Sequence, residues 1–136
     1  MKKVGLDVGD VRVGIAVSDM LCMIANARES YTLTKNDDVD FEYFTKLAKA
    51  ENADTFVVGL PLSMDGTEGK RVVITRDFGE RLREFSGINV VYQDERLSTV
   101  SAEKMLIEGN VRREKRKKVI DKVAACIILQ NYLDKF

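Results

Sequence analysis

The chain contains no histidine, a single proline (Pro61) and two cysteines, Cys22 and Cys126. The missing imidazole excludes most. It rules out a Ser-His-Asp triad, a Cys-His dyad, a paired-histidine ribonuclease mechanism and any imidazole zinc site within this chain. Hydrolysis here would have to be run by carboxylates, a metal ion or a lysine. Carboxylate oxygens suit hard cations such as Mg²⁺ or Mn²⁺. The two cysteines lie far apart without metal-ligand spacing, which reads as free, structural thiols. No stretch approaches the ~20 apolar residues of a membrane helix. Met1-Lys2-Lys3 runs straight into a Gly- and Asp-containing segment with no signal-type apolar region behind it. The expectation is a cytoplasmic protein with no membrane partner.

At 136 residues the chain is the size of one domain, spanning 1–136, and can bury a core without staples. Its formal net charge is zero, but the average conceals an uneven distribution. Arg112-Arg113-Glu114-Lys115-Arg116-Lys117-Lys118 places six basic residues and one acid in seven positions. The bland reading of this run is a solvated loop before the last helix. Because it adjoins Asp121, a nucleic-acid contact is the reading favoured here.

The opening alternates as a strand does. Val4, Leu6 and Val8 take one face, and Gly5 and Asp7 the other. After Gly9-Asp10 a second alternation follows through Val13, Ile15 and Val17, so a hairpin is expected. Residues 27–34 read as a third, more polar strand. Phe41, Phe44, Leu47 and Ala48 then fall at helical spacing, and Thr55 to Leu60 is a short apolar strand. A helix over about 69–85 is expected to bury Ile74, Phe78, Leu82 and Phe85. Ile88 to Tyr92 is a further strand, followed by Asp94-Glu95-Arg96. Helices near 99–108 (Ala102, Met105 and Leu106 inward) and 119–135 complete the chain. The order β-β-β-α-β-α-β-α-α predicts an α/β fold, a mixed five-stranded sheet with helices on both faces.

This topology points three acids at one place. Ligands of open α/β sheets gather beyond the carboxyl ends of strands. Asp7 ends the first strand and Asp94-Glu95 the last. Asp121, Ala124, Ala125, Ile128, Leu129 and Tyr132 share one face of the final helix. Small residues on both surfaces, Ala124 and Ala125 against Gly5 and Gly14, would let helix and sheet approach closely and bring Asp121 towards Asp7. Each acid also has an ordinary explanation. Asp7 could open a turn, Asp94-Glu95-Arg96 could be a solvated ion pair, and Asp121 could cap its helix or face its dipole. Taken together, crowded carboxylates repel, and a bound cation is the simplest remedy.

Four runs carry a resemblance: GLDVGDVRVGIAVSD from Gly5 to Asp19, VGLPLSMDGT from Val58 to Thr67, DERLST from Asp94 to Thr99, and IDKVAA from Ile120 to Ala125 with Ile128-Leu129-Gln130. In this order, spread from end to end of the chain, they resemble the YqgF/RuvX family. The resemblance implies a three-layer RNase H-like fold related to the RuvC resolvases. It implies a divalent-metal-dependent endonuclease that matures the 5′ end of pre-16S rRNA during ribosome biogenesis. The alternatives are a resolvase of Holliday junctions and other branched DNA, or a non-catalytic nucleic-acid-binding module of the same fold. The family's acids fall on Asp7, Glu95 and Asp121 as catalytic residues and as ligands of Mg²⁺ or Mn²⁺, with Asp94 a helper or substitute. Arg12 and Arg96 lie beside the acids and are candidates for phosphate contact, together with Arg112, Arg113, Lys115, Arg116, Lys117 and Lys118; an ion pair with a neighbouring acid is the plain alternative for the first two. The implied partners are structured precursor rRNA within a small-subunit precursor, or branched DNA, met by a monomer or weak homodimer. An actin-like ATPase, suggested by Asp7-Val8-Gly9 before a hairpin, would need two such domains, and this chain has room for one.

Overall fold

The computed structural model describes residues 1–62, 69–95 and 113–136, with the side chains of the last segment described from residue 120 onward. The two opening alternations form the expected hairpin, β1 (Lys2–Val8) and β2 (Arg12–Ser18), and β3 (Ala25–Thr32) extends it. The third strand starts two residues earlier than its polar composition suggested. Then follow α1 (Asp37–Ala50), β4 (Ala53–Leu60), α2 (Lys70–Ser86), β5 (Asn89–Asp94) and α3 (Arg113–Leu133). The helix expected near 99–108 lies outside the described residues.

The five strands form one mixed sheet in the order β3-β2-β1-β4-β5. The β1–β2 and β2–β3 pairs are antiparallel, whereas β1–β4 and β4–β5 are parallel. Parallel neighbours need a crossover, and α1 and α2 provide the connections into β4 and β5. Strand alternation then sorts the two faces. Val4, Leu6, Val13, Ile15, Phe56 and Val58 pack beneath Phe41, Phe44 and Leu47 of α1 and Leu82 of α2. The opposite face is lined by smaller residues, Ala16 and Val57 among them, and receives Ala125, Ile128, Leu129 and Leu133 of α3. Helices on both faces of a five-stranded sheet are the expected three layers.

Two helices depart from their sequence reading. In α2 the buried residues are Val72, Thr75, Gly79 and Leu82. Phe78 is only partly buried, and Ile74 and Phe85 are exposed at 52% and 41%. The helix is turned so that its small residues meet the sheet: a Cβ at Gly79 would lie 2.5 Å from the Tyr92 hydroxyl. Close approach wins over the larger apolar stripe.

The second departure is the start of α3. Expected near residue 119 after a basic loop, the helix begins at Arg113 and takes the basic run into its first turns. Arg, Glu and Lys are good helix formers, and no Gly or Pro interrupts them. Asp121 therefore lies more than two turns inside the helix. It is neither a cap nor a first-turn dipole partner.

Candidate active site

Three glycines shape the face of the sheet beneath α3. Asp7 pairs across the hairpin with Gly14, so both present the same face to the helix. A Cβ at Gly14 would overlap the backbone carbonyl of Asp121, so only glycine lets this turn of α3 rest on β2 beside Asp7. Further along, a Cβ at Gly5 would lie 2.7 Å from Leu129 Cβ and 3.0 Å from the Ala125 carbonyl oxygen. These contacts realise the close helix–sheet approach expected from Gly5, Gly14 and the alanines, and Ala124 and Ala125 are fully buried.

Glu95 arrives from the other side. Its amide donates to the Leu60 carbonyl at 3.0 Å, extending the β4–β5 ladder one residue past Asp94. The side chain then lies over Gly59, where a Cβ would be 2.8 Å from Glu95 Oε2 and 2.6 Å from Ile128 Cδ1. Asp7 and Glu95 meet in a carboxyl–carboxylate hydrogen bond, with Glu95 as the protonated donor and Asp7 as the acceptor.

Their electrostatics follow from burial and crowding. Burial is the main cause of the rise at Asp7, to about 6, and the negative charge of Asp121 adds to it. The hydrogen bond from Glu95 and the charge of Arg71 oppose the rise. Glu95 is pushed up to about 9, first by burial, then by the charge and hydrogen bond of Asp7, with a further contribution from Asp94. The two carboxyls titrate as one unit, and near neutrality they hold one proton between them.

Asp121 faces Asp7 electrostatically, but its Oδ2 accepts from Arg12 Nε at 2.8 Å. Among the described residues no three His, Cys, Asp or Glu side chains stand together as a metal-binding group. The donor chemistry nevertheless fits a hard cation. All the ligating atoms on offer are oxygens, and two of the acids hold a proton that a cation would replace. A buried, unpartnered oxygen, Gln93 Oε1, lies on the same strand two residues before Glu95.

The other expected contacts divide three ways. Arg12 reaches the site, as the ion-pair partner of Asp121. Arg96 and Arg112 lie outside the described residues. Arg113, Lys115, Arg116, Lys117 and Lys118 occupy the turns of α3 that lead into Asp121, and their side chains lie outside the described residues.

Two residues beside the acids have no role in the sequence reading: Gln93 and Arg71. Arg71 Nη2 donates to the Val8 carbonyl at 2.8 Å and Nη1 pairs with Asp10 Oδ1 at 2.5 Å. Its charge acts on both Asp7 and Glu95. A signal for it was present, since Lys70-Arg71 opens a helix against the preference of the dipole.

Comparison with known proteins gives the family and the fold. The family model described as RuvX: Holliday junction resolvase matches residues 1–135. A Streptococcus thermophilus protein provisionally named as a pre-16S rRNA nuclease is 47% identical over 137 residues, spanning 99% of this chain and 99% of its own length. A Lactococcus lactis protein with the same name is 49% identical over 131 residues, spanning 96% and 92%. Among solved structures, T. thermophilus RuvC in complex with a Holliday junction substrate matches with a TM-score of 0.55 at 12% identity, over 99% of this chain and 94% of that one. The yeast mitochondrial Holliday junction resolvase Ydc2 matches with a TM-score of 0.56 at 11% identity, over 96% and 77%. At such low identity these two structures establish the fold, which is RNase H-like. Among the described residues, no helix is long and apolar enough to cross a membrane.

Proposed function

The chain belongs to the RuvX family and is a nuclease, and from that premise we propose that it is a divalent-metal-dependent endonuclease whose site is Asp7, Glu95 and Asp121. The observation that carries this reading is the Asp7–Glu95 pair, partly buried, hydrogen-bonded and sharing a proton beside a third acid. A purely structural pair of this kind would be costly, because like charges and desolvation both work against it.

The proposed substrate is precursor 16S rRNA, as the names of the bacterial relatives suggest, and the proposal extends to cleavage at its 5′ end and to action in the cytoplasm. The family description supports branched DNA as the second reading. Residues 1–136 would act as one domain, as a monomer or weak homodimer.

Asp7, Glu95 and Asp121 would hold Mg²⁺ or Mn²⁺. Such an ion, when bound, acidifies a water and stabilises the leaving oxygen of a phosphodiester. The chain's own contribution is to prepare the place. Gly59 leaves room for the Glu95 carboxylate, and Gly14 lets Asp121 approach Asp7. Loss of the shared proton turns the pair from a hydrogen bond into two anionic donors. Arg12 pairs with Asp121 and, exchanged for a cation there, would meet phosphate oxygens. The basic turns of α3 supply sequence-independent attraction to the backbone.

The test is a side-by-side cleavage assay with Mn²⁺ and Mg²⁺ on structured precursor rRNA, single-stranded RNA and four-way DNA junctions. Preferred cutting of the precursor supports the rRNA reading, and preferred cutting of junctions replaces it with the resolvase reading. Absence of cleavage on all three, with both metals, would overturn the nuclease site.

A further inference from the structure

Arg71 stands at the end of β1 in an arrangement that serving as a counter-charge does not explain. Its Nη2 holds the Val8 carbonyl at 2.8 Å, one residue past Asp7 and beyond the last β1–β4 partners, Leu6 and Val58. Its Nη1 pairs at 2.5 Å with Asp10, whose side chain is 83% exposed. One half of the guanidinium fork is therefore tied to the frame that carries Asp7. The other half rests on an acid that water already reaches. The local sequence adds a second oddity. The first turn of α2 contains no acidic residue and no side-chain cap, yet it carries Lys70 and Arg71. By contrast, α1 starts on an Asn36 cap followed by Asp37, Asp38 and Asp40. Cations at a helix N-terminus oppose the dipole, so Arg71 breaks a local rule at the edge of the site, where such violations serve function.

We propose that Arg71 is a substrate-binding residue: its guanidinium exchanges the Asp10 carboxylate for a backbone phosphate of the nucleic-acid strand lying over Asp7 and Glu95. The proposal rests on the nuclease reading above. Exchange is easy because an exposed ion pair contributes little. It is specific because the planar fork matches phosphate oxygens as well as it matches a carboxylate. The Val8 carbonyl remains bound throughout, so the phosphate is set at a fixed position relative to the end of β1 and hence to Asp7. The positive charge also favours the ionised forms of Asp7 and Glu95. Asp10 is then a place-holder that competes with the substrate.

The experiment measures binding of the full chain to labelled single-stranded RNA by fluorescence anisotropy, in EDTA and again with Ca²⁺, over a range of salt. Arg71→Gln should weaken binding about tenfold, as expected for loss of one charge-assisted contact. The slope of log K against log salt should shrink by about 0.7. Asp10→Asn should tighten binding severalfold while Arg71 is present and have no effect in the Arg71→Gln background. Asp10 is on the surface, so this arm survives if Gln at 71 unfolds the chain, with Arg71→Lys then expected to bind at an intermediate level. Unchanged affinity and salt slope in Arg71→Gln would overturn the proposal. So would an Asp10→Asn variant that binds no tighter than the parent, or one that tightens equally without Arg71. If the unaltered chain binds neither RNA nor a four-way junction under either condition, the nuclease reading itself falls and takes this assignment with it.

Discussion

Replacing Gly14 by alanine is the most revealing single perturbation of the scaffold. The added Cβ would overlap the backbone carbonyl of Asp121, and helix backbone cannot swing aside as a flexible side chain can. Helix α3 must lift from β2 by on the order of an ångström, and overpacking of this kind costs about 1–3 kcal/mol. For a chain of this size that corresponds to a fall in melting temperature of roughly 3–10 °C. The lift also carries Asp121 away from Asp7, and a displacement of that size can cost about 10²-fold in the rate of a positioned reaction. Two other glycines calibrate the result. Gly5→Ala meets Leu129 Cβ at 2.7 Å, away from the carboxylates, so it should cost stability with a smaller loss of activity. Gly69→Ala meets nothing within 4 Å and should leave activity alone. Urea melts give the stability and single-turnover cleavage gives the activity. Wild-type stability and cleavage in Gly14→Ala would refute the claim that α3 is seated on Gly14.

Two further predictions follow from the charges. Asp7 and Glu95 both titrate above the ordinary carboxylate range, so the folded chain holds protons that the unfolded chain has released. The stability this contributes is complete below about pH 4 and is lost as pH rises through about 6 and then about 9. In EDTA, the melting temperature of the wild type should therefore fall relative to Glu95→Gln between pH 6 and 9, and parallel curves would contradict the raised Glu95. Changing Arg113, Arg116 and Lys117 together to Gln should weaken binding with little effect on the single-turnover rate at saturation. The salt slope should shrink by about 2 on single strands or about 3 on duplex DNA, and wild-type affinity and slope would show that these turns of α3 do not meet the strand.

What could be read from the chain in advance was whatever local pattern determines. The alternation Val4-Leu6-Val8 sorts β1 into a core face and a face for α3, with Asp7 on the latter; its pairing with Gly14 comes from the hairpin register. The small residues Gly5, Gly14, Ala124 and Ala125 announced a close approach that the packing realises. Features that depend on distant partners were less legible. Arg71 touches Val8 and Asp10, more than sixty positions away in sequence, and nothing local in either segment names the other. The rotation of α2 is not legible locally, because apolar size and closeness of approach select different faces of the helix. Ile74 and Phe85 are larger than Val72, Thr75 and Gly79, but the smaller set is the buried one, and Gly79 lies close against Tyr92. The start of α3 is obscured by the charge density of Arg112–Lys118, which suggests a loop although charge does not break a helix. A helix starting near residue 119 would allow Asp121 a dipole role, which its position more than two turns inside α3 removes.

On the reading proposed above, Asp7, Glu95 and Asp121 act as one metal-dependent hydrolytic unit. Its most direct test is cleavage of structured 16S rRNA precursor by the wild type and by Asp7→Asn, Glu95→Gln and Asp121→Asn, each in Mn²⁺ and in EDTA. The wild type should cut only with metal, and each variant should lose nearly all cleavage while its circular dichroism spectrum and cooperative melt are retained. Undiminished wild-type cleavage in EDTA, with contaminating nuclease excluded, or full activity in any one folded variant with Mn²⁺ present, would contradict it.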